Sequence, residues 1–246
     1  MTTKINQLTS RGRHRRDNQT SIMKTILKVN LVLGIVAAIS TVFAGDLRES
    51  KSGVAIHPAS APFVKDSGVI VPVDPAVDEN GDPIANPVVY NSFCNPINPI
   101  VAPDGHLVTF SEWVHANGTA SMQCLGDAGT RVNVQLTGLL PNGVYTAWVI
   151  LFDSSGNLIG VGPVGKSDGS QNSFKATSDG RGKLSAVVPP GELGCFPYNV
   201  SACLLNTPGV GDVQIHIAYH LDGQTHGSCP GGDCDFAVPI GFDFPL

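Results

Sequence analysis

Between residues 131 and 153 the apolar and polar positions first alternate and then crowd together. Val132, Val134 and Leu136 fall on one face of an extended chain, with Asn133, Gln135 and Thr137 on the other, because successive side chains in a strand point to opposite sides. Pro141, Asn142 and Gly143 form a turn. The segment 144–152 that follows is apolar at nearly every position. A half-polar strand joined to one apolar on both sides fits two antiparallel layers. The same reading predicts strands at 106–115, 119–125, 130–139, 144–152, 173–177, 183–188, 213–221 and 235–242, separated by turn clusters such as Ser154-Ser155-Gly156-Asn157 and Asp222-Gly223. No amphipathic helix competes with them. Residues 104–246 are therefore expected to form one all-β domain, an antiparallel Greek-key β-sandwich of immunoglobulin-like kind, long enough for a single buried core.

Nine of the 18 prolines lie in 45–103, which reads as an extended arm or linker, since proline at this density defeats both helix and central strand. Upstream, 23–44 has the form of a secretory signal peptide, with Lys24 and Lys28, an apolar run over 31–39, and small residues before a cleavage site after Ala44. That run is far short of the roughly 20 residues a membrane-spanning helix needs. An uncleaved anchor, the alternative, would hold the two lysines on the inner side. Arg15-Arg16 is followed by Asp17 and Asn18 and stands too far from the apolar run for a twin-arginine signal. Translation is expected to start at Met23, with 1–22 an untranslated or disordered extension.

Cleavage after Ala44 changes the charge. Seven of 15 Lys and Arg precede Gly45 against one of 20 Asp and Glu, so the remainder carries 8 positive and 19 negative groups, a net −11. An exported chain, periplasmic or extracellular, that is this acidic is not expected to bind nucleic acid or an anionic membrane. The proline-rich arm is a candidate for self-association, by pairing with a sheet edge of a second copy.

All six cysteines, Cys94, Cys124, Cys195, Cys203, Cys229 and Cys234, follow the cleavage site. An even number in an exported chain implies disulfides, with 15 possible connectivities. The short loops favour Cys195–Cys203 and Cys229–Cys234, leaving Cys94–Cys124. A zinc site is disfavoured because the paired C-x-x-C arms are missing.

Several landmarks from 131 to 242 occur in a familiar order: Leu136-Thr137-Gly138-Leu139-Leu140-Pro141-Asn142-Gly143 before an apolar strand, Asn172-Ser173-Phe174-Lys175-Ala176-Thr177-Ser178-Asp179-Gly180, the strand ending Gln214-Ile215-His216, and Cys234-Asp235-Phe236-Ala237-Val238-Pro239-Ile240-Gly241-Phe242. This order resembles the secreted copper–zinc superoxide dismutase sandwich. The resemblance implies a superoxide dismutase-like fold. That family keeps a His-x-His copper pair where this chain has Tyr145-Thr146-Ala147-Trp148-Val149, and no histidine lies between His115 and His216. Only His216 matches a family ligand. Copper cycling needs several imidazoles in one geometry, so the resemblance implies the sandwich without its redox site.

Candidate chemistry is sparse. His216, His220 and His226 are the candidate metal ligands, for copper or zinc. His216 and His220 share a strand face but stand about 13 Å apart at roughly 3.3 Å per residue. With Asp222-Gly223 as a two-residue hairpin turn, His220 pairs with Thr225 and His226 points to the opposite face. The sequence Asp78-Glu79-Asn80-Gly81-Asp82 places oxygens at alternate positions, as a calcium loop does, but lacks the later glutamate, and a plain Asn-Gly turn is favoured. No G-x-S-x-G elbow presents a nucleophile. Glu112, the lone strand acid, reads as solvent-facing. Trp113 and Trp148, with Tyr145 and Tyr219, would line either a carbohydrate platform or the core, and Tyr145 suits a corner in which its hydroxyl bonds back to the turn. Asn117-Gly118-Thr119 and Asn199-Val200-Ser201 are glycosylation sequons. The expected function is that of an exported, non-catalytic binding or structural module with no cofactor. The alternatives are a metal-binding protein or dismutase-like enzyme centred on His216 and His220, and a carbohydrate-binding module.

Overall fold

A computed structural model describes residues 50–56, 69–70, 79–80, 82, 84–91 and 93–246. The expected leader 23–44 and its upstream extension, nearly half of the proline-rich arm, and Asp78 and Gly81 of the calcium-type turn lie outside the described residues. In chain order the elements begin with β1 (Ser50–Ser52), β2 (Val54–Ile56), β3 (Val69–Ile70), β4 (Tyr90–Asn91) and β5 (Asn98–Pro99). A one-turn helix α1 (Phe110–Trp113) precedes β6 (Asn117–Cys124), β7 (Thr130–Thr137), β8 (Val144–Phe152) and β9 (Leu158–Pro163). Then come β10 (Ser173–Lys175), β11 (Gly182–Val188), β12 (Gly191–Glu192), β13 (Asn199–Val200), β14 (Asp212–His220) and β15 (Phe236–Pro245).

Two antiparallel sheets carry the fold, so the expected all-β sandwich is what the chain forms. One has the order β1-β6-β7-β11; the other runs β10-β8-β14-β15-β2, with β9 also paired to β8. Alternation decides what each strand buries. Val132, Val134 and Leu136 of β7 face Tyr145, Ala147, Val149 and Leu151 of β8, with Val213, Ile215, Ile217 and Tyr219 of β14 and Ile240, Phe242 and Phe244 of β15 completing one continuous core. Burying such side chains is worth about 1.5–3 kcal/mol each.

The chain enters this sandwich earlier than the sequence pattern suggests. β1 pairs with β6 and β2 with β15, so the two short strands belong to different sheets. Gly53 makes the crossing, and a Cβ there would stand 2.6 Å from the Phe244 ring. β9 was not anticipated either, because Gly160, Gly162 and Pro163 resemble a turn. Those glycines are required by close approach: a Cβ on Gly160 would meet Tyr198 Cβ at 2.6 Å, and one on Gly162 would meet Leu193 Cβ at 2.9 Å. The segment carrying β12 and β13 lies there, bridged by Val161↔Phe196.

Residues 106–115 do not form the predicted strand. Thr109 starts α1, and Glu112 closes it by accepting the Thr109 N–H at 2.9 Å and its hydroxyl at 2.6 Å, a reciprocal cap. Glu112 also meets His106 Nε2 at 3.0 Å. Its role is local and structural rather than that of a free strand acid.

All six cysteines are paired, and none of the three expected pairs forms. The bonds are Cys94–Cys234, Cys124–Cys203 and Cys195–Cys229, with sequence separations of 140, 79 and 34. Cys124 faces the core from β6, and the Cys203 segment folds beneath it, with the Leu204 N–H donating to Thr130 Oγ1. Cys229 and Cys234, on either side of Gly231 with its φ of +105°, bond to different partners. Spacing misleads here because partners are chosen by the tertiary fold. In the chain-entropy model each long closure stabilises by about 3–5 kcal/mol. These bonds fit an oxidising environment, and no helix among the described residues is long and apolar enough to cross a membrane.

At the turn before β8, Asn142 takes a φ of +60° and Gly143 donates to the Leu140 carbonyl. The Leu140 N–H donates 2.8 Å to the Tyr145 hydroxyl in a buried setting, the corner arrangement that the sequence suggests. Tyr145→Phe leaves that amide without its acceptor and should destabilise the chain by about 1–3 kcal/mol in urea unfolding. Retained stability would show that water replaces the hydroxyl.

Candidate metal centre

The outer face of the β8–β14–β15 sheet is not bare. Trp148, Ala218 and Val238 form a second small core there, with Ile150, Val161, Cys195 and Phe236 packed against it. Both tryptophans are buried, Trp113 at 1% exposure and Trp148 at 2%. With Tyr145 and Tyr219 buried as well, these four aromatics are core residues and form no exposed platform. Trp113 instead meets Tyr219 edge-on, at 6.3 Å between ring centroids.

β14 presents His216, Ala218 and His220 to this outer face. His220 is 1% exposed and pairs with Phe236 rather than Thr225. The Asp222-Gly223 turn is thus not a two-residue hairpin, and residues 221–235 form a long loop before β15 begins. Within it His226 folds back over His220, with ring centroids 5.6 Å apart and planes 30° apart. The expectation that His226 points away from His220 fails for this reason: it rested on a strand register that the loop does not follow.

His226 Nε2 meets Asp222 Oδ2 at 3.0 Å. Ligand atoms of His220, Asp222 and His226 all lie within 4.8 Å of one another. Asp235 is close by. A Cβ on Gly231 would stand 2.8 Å from His226 Cδ2 and 3.0 Å from Asp235 Oδ2, so only glycine lets the loop run between them. The loop is tied at both ends of its second half, by Cys229 to Cys195 and by Cys234 to Cys94.

The two nitrogens of His220 have different surroundings. Nε2 meets Thr146 Oγ1 at 2.7 Å, and that oxygen also accepts the Trp148 indole N–H at 2.6 Å. Nδ1 is buried with no hydrogen-bond partner. A buried ring nitrogen left unpaired is costly. Held in place through Nε2, as metal-ligating histidines commonly are, it has the form of a vacant donor. Burial is the main influence on the His220 titration, followed by the neighbouring His226; Asp222 and Asp235 oppose them, and the imidazole is held down to about 4. The ring is neutral at pH 7, the state in which imidazole binds metal.

His216 lies outside this group. Its Nε2 meets Gln214 Oε1 at 2.9 Å, and Gln214 Nε2 donates to Asp212 Oδ2 at 3.1 Å. Asp243 faces Gln214 across the strand pair. Burial, and then the adjoining Asp212 carboxyl, raise it to about 6. Of the three candidate histidines the fold unites His220 and His226, adds Asp222, and sets His216 in a separate polar chain. The sequence hides Asp222 as a candidate ligand, because an Asp-Gly pair is the signature of a turn.

Compared with protein-family models, with curated proteins and with solved structures, the chain matches none.

His220 and Asp243 act on stability with opposite sign. Between pH 6.5 and 4 the unfolded chain protonates His220 while the folded chain does not, so this group lowers stability as pH falls through that window. Asp243 is protonated in the folded chain up to about pH 6 but ionises near 3.8 when unfolded, so it lowers stability as pH rises. Asp243→Asn should therefore stabilise the chain at pH 7 by about 1 kcal/mol, discounting for partial exposure, and give no gain at pH 3.5. Urea unfolding at both values checks this, and an equal effect at each would contradict it.

Proposed function

We propose that this chain is an exported, disulfide-stapled binding module without catalytic activity, and that it holds one divalent transition-metal ion at His220, Asp222 and His226. The observation that carries this reading is that His220, whose buried Nδ1 has no hydrogen-bond partner, brings a ring nitrogen within 4.8 Å of donor atoms on His226 and Asp222. Two nitrogens and a carboxylate oxygen suit zinc or copper. Tetrahedral bonds of about 2.1 Å place donors about 3.4 Å apart, so modest closure of His226 and Asp222 onto His220 brings three protein ligands into range and leaves the fourth position to water.

A catalytic role for the same histidine has less support. The Thr146–His220 contact is the arrangement nearest to an activated hydroxyl, but both residues are 1% exposed and no substrate reaches them. The relation to the copper–zinc superoxide dismutases is proposed for the sandwich alone, since His216 is engaged by Gln214 away from the other two histidines. Export is proposed from the leader-like 23–44 together with the three disulfides.

Calorimetric titration of the full, disulfide-bonded chain with zinc should give one site of about micromolar affinity. His226→Ala and Asp222→Asn should each weaken it at least tenfold, while His216→Ala leaves it unchanged. Absence of binding, or binding that depends on His216 instead, would overturn the assignment.

A further inference from the structure

The outward side of the other sheet has a composition unlike the rest of the molecule. Register places Thr119, Gln135 and Lys183 in one row across β6, β7 and β11, Ser121, Asn133 and Ser185 in the next, and Gln123, Arg131 and Val187 beyond it. These rows contain no carboxylate, although acids outnumber bases 19 to 8 in 45–246. At the edge where β11 approaches β10, Lys175, Arg181 and Lys183 join Asn133, Gln135 and Ser185 around an open groove of about 1100 Å³. Three of eight basic residues thus line one acid-free groove. Arg181 is also paired with Asp179, whose Oδ2 meets its Nε at 3.0 Å in a solvent-exposed pair, a contact worth little in water. Ser185 Oγ donates to Asn133 Oδ1 at 2.7 Å, turning the Asn133 amide hydrogens to other acceptors.

Charge complementarity selects an anion. The neutral neighbours say which kind. Amides and hydroxyls both donate and accept, which suits a ligand carrying many hydroxyls. The face offers no Tyr, Trp or Phe among its outward rows, so it lacks the aromatic anchors that dominate protein interfaces and the stacking surfaces that hold nucleic-acid bases. A wet, polar contact remains effective without them. We propose that the outer face of β6, β7 and β11 binds an acidic polysaccharide bearing carboxylates, with Lys175, Arg181 and Lys183 meeting the carboxylates and Asn133, Gln135 and Ser185 the hydroxyls. This site is separate from the candidate metal centre and does not depend on it.

The test is an NMR titration of the full, disulfide-bonded chain with galacturonate oligosaccharides, with neutral dextran oligomers and poly-glutamate of equal length alongside. Amide shifts should concentrate on β6, β7 and β11, and the affinity should fall about tenfold between 50 and 300 mM NaCl. The paired change Lys175→Glu with Lys183→Glu should lower affinity at least tenfold, while Lys166→Glu, exposed elsewhere, should change it less than twofold. Four outcomes would overturn the proposal: no shifts on this face, equal binding of dextran, equal binding of poly-glutamate, or an equal loss with Lys166→Glu. Unchanged unfolding midpoints show that the variants remain folded.

Discussion

The fold depends on burying β14 from both sides. Its Val213, Ile215, Ile217 and Tyr219 fill the space between the sheets, while His216, Ala218 and His220 face outward and are also covered. Sandwich strands usually leave one face to water. Here the outer face of the β8–β14–β15 sheet is sealed by segments with little regular structure of their own, cross-linked at Cys195–Cys229 and Cys94–Cys234. The covalent closures restrict how far these loops can move from the sheet.

The chemistry follows from that cover. A histidine on an exposed strand face would be solvated and would titrate near its ordinary value. Beneath the cross-linked loop His220 is desolvated, is fixed through Thr146 and Trp148, and keeps one buried ring nitrogen without a hydrogen-bond partner. The opposite sheet is different in kind. Its outward rows are exposed or half-exposed and carry no acid. The two sheets thus offer one buried site with few donors and one broad, wet surface.

The hydrophobic pattern made the main strands legible. The alternation of Val132, Val134 and Leu136 against Asn133, Gln135 and Thr137 is reproduced in β7, and the largely apolar 144–152 is β8, apolar on both sides because both of its sides are covered. The Tyr145 corner was legible for the same local reason. What could not be read depended on distant chain. The glycines of β9 look like punctuation until Leu193 and Tyr198 are seen pressing on them. Asp222-Gly223 carries a hairpin signature, yet β14 pairs with Phe236 and its neighbours, and the Cys234 crosslink and the half-buried Phe236 hold that register. Once that register was assumed, His226 pointed the wrong way and Asp222 was left out of the site. Cysteine partners were hidden likewise, since nothing in spacing says that Cys124 and Cys203 share a core wall.

The central claim is that the cross-linked loop, not the strand alone, creates the environment of His220. Imidazole NMR titration of His220 in the parent chain and in Cys195→Ser with Cys229→Ser tests it most directly. The account predicts titration near 4 in the parent and a return toward 6.5 in the variant, with the β7 and β8 core resonances unchanged. A His220 that still titrates near 4 without the Cys195–Cys229 bond would contradict it.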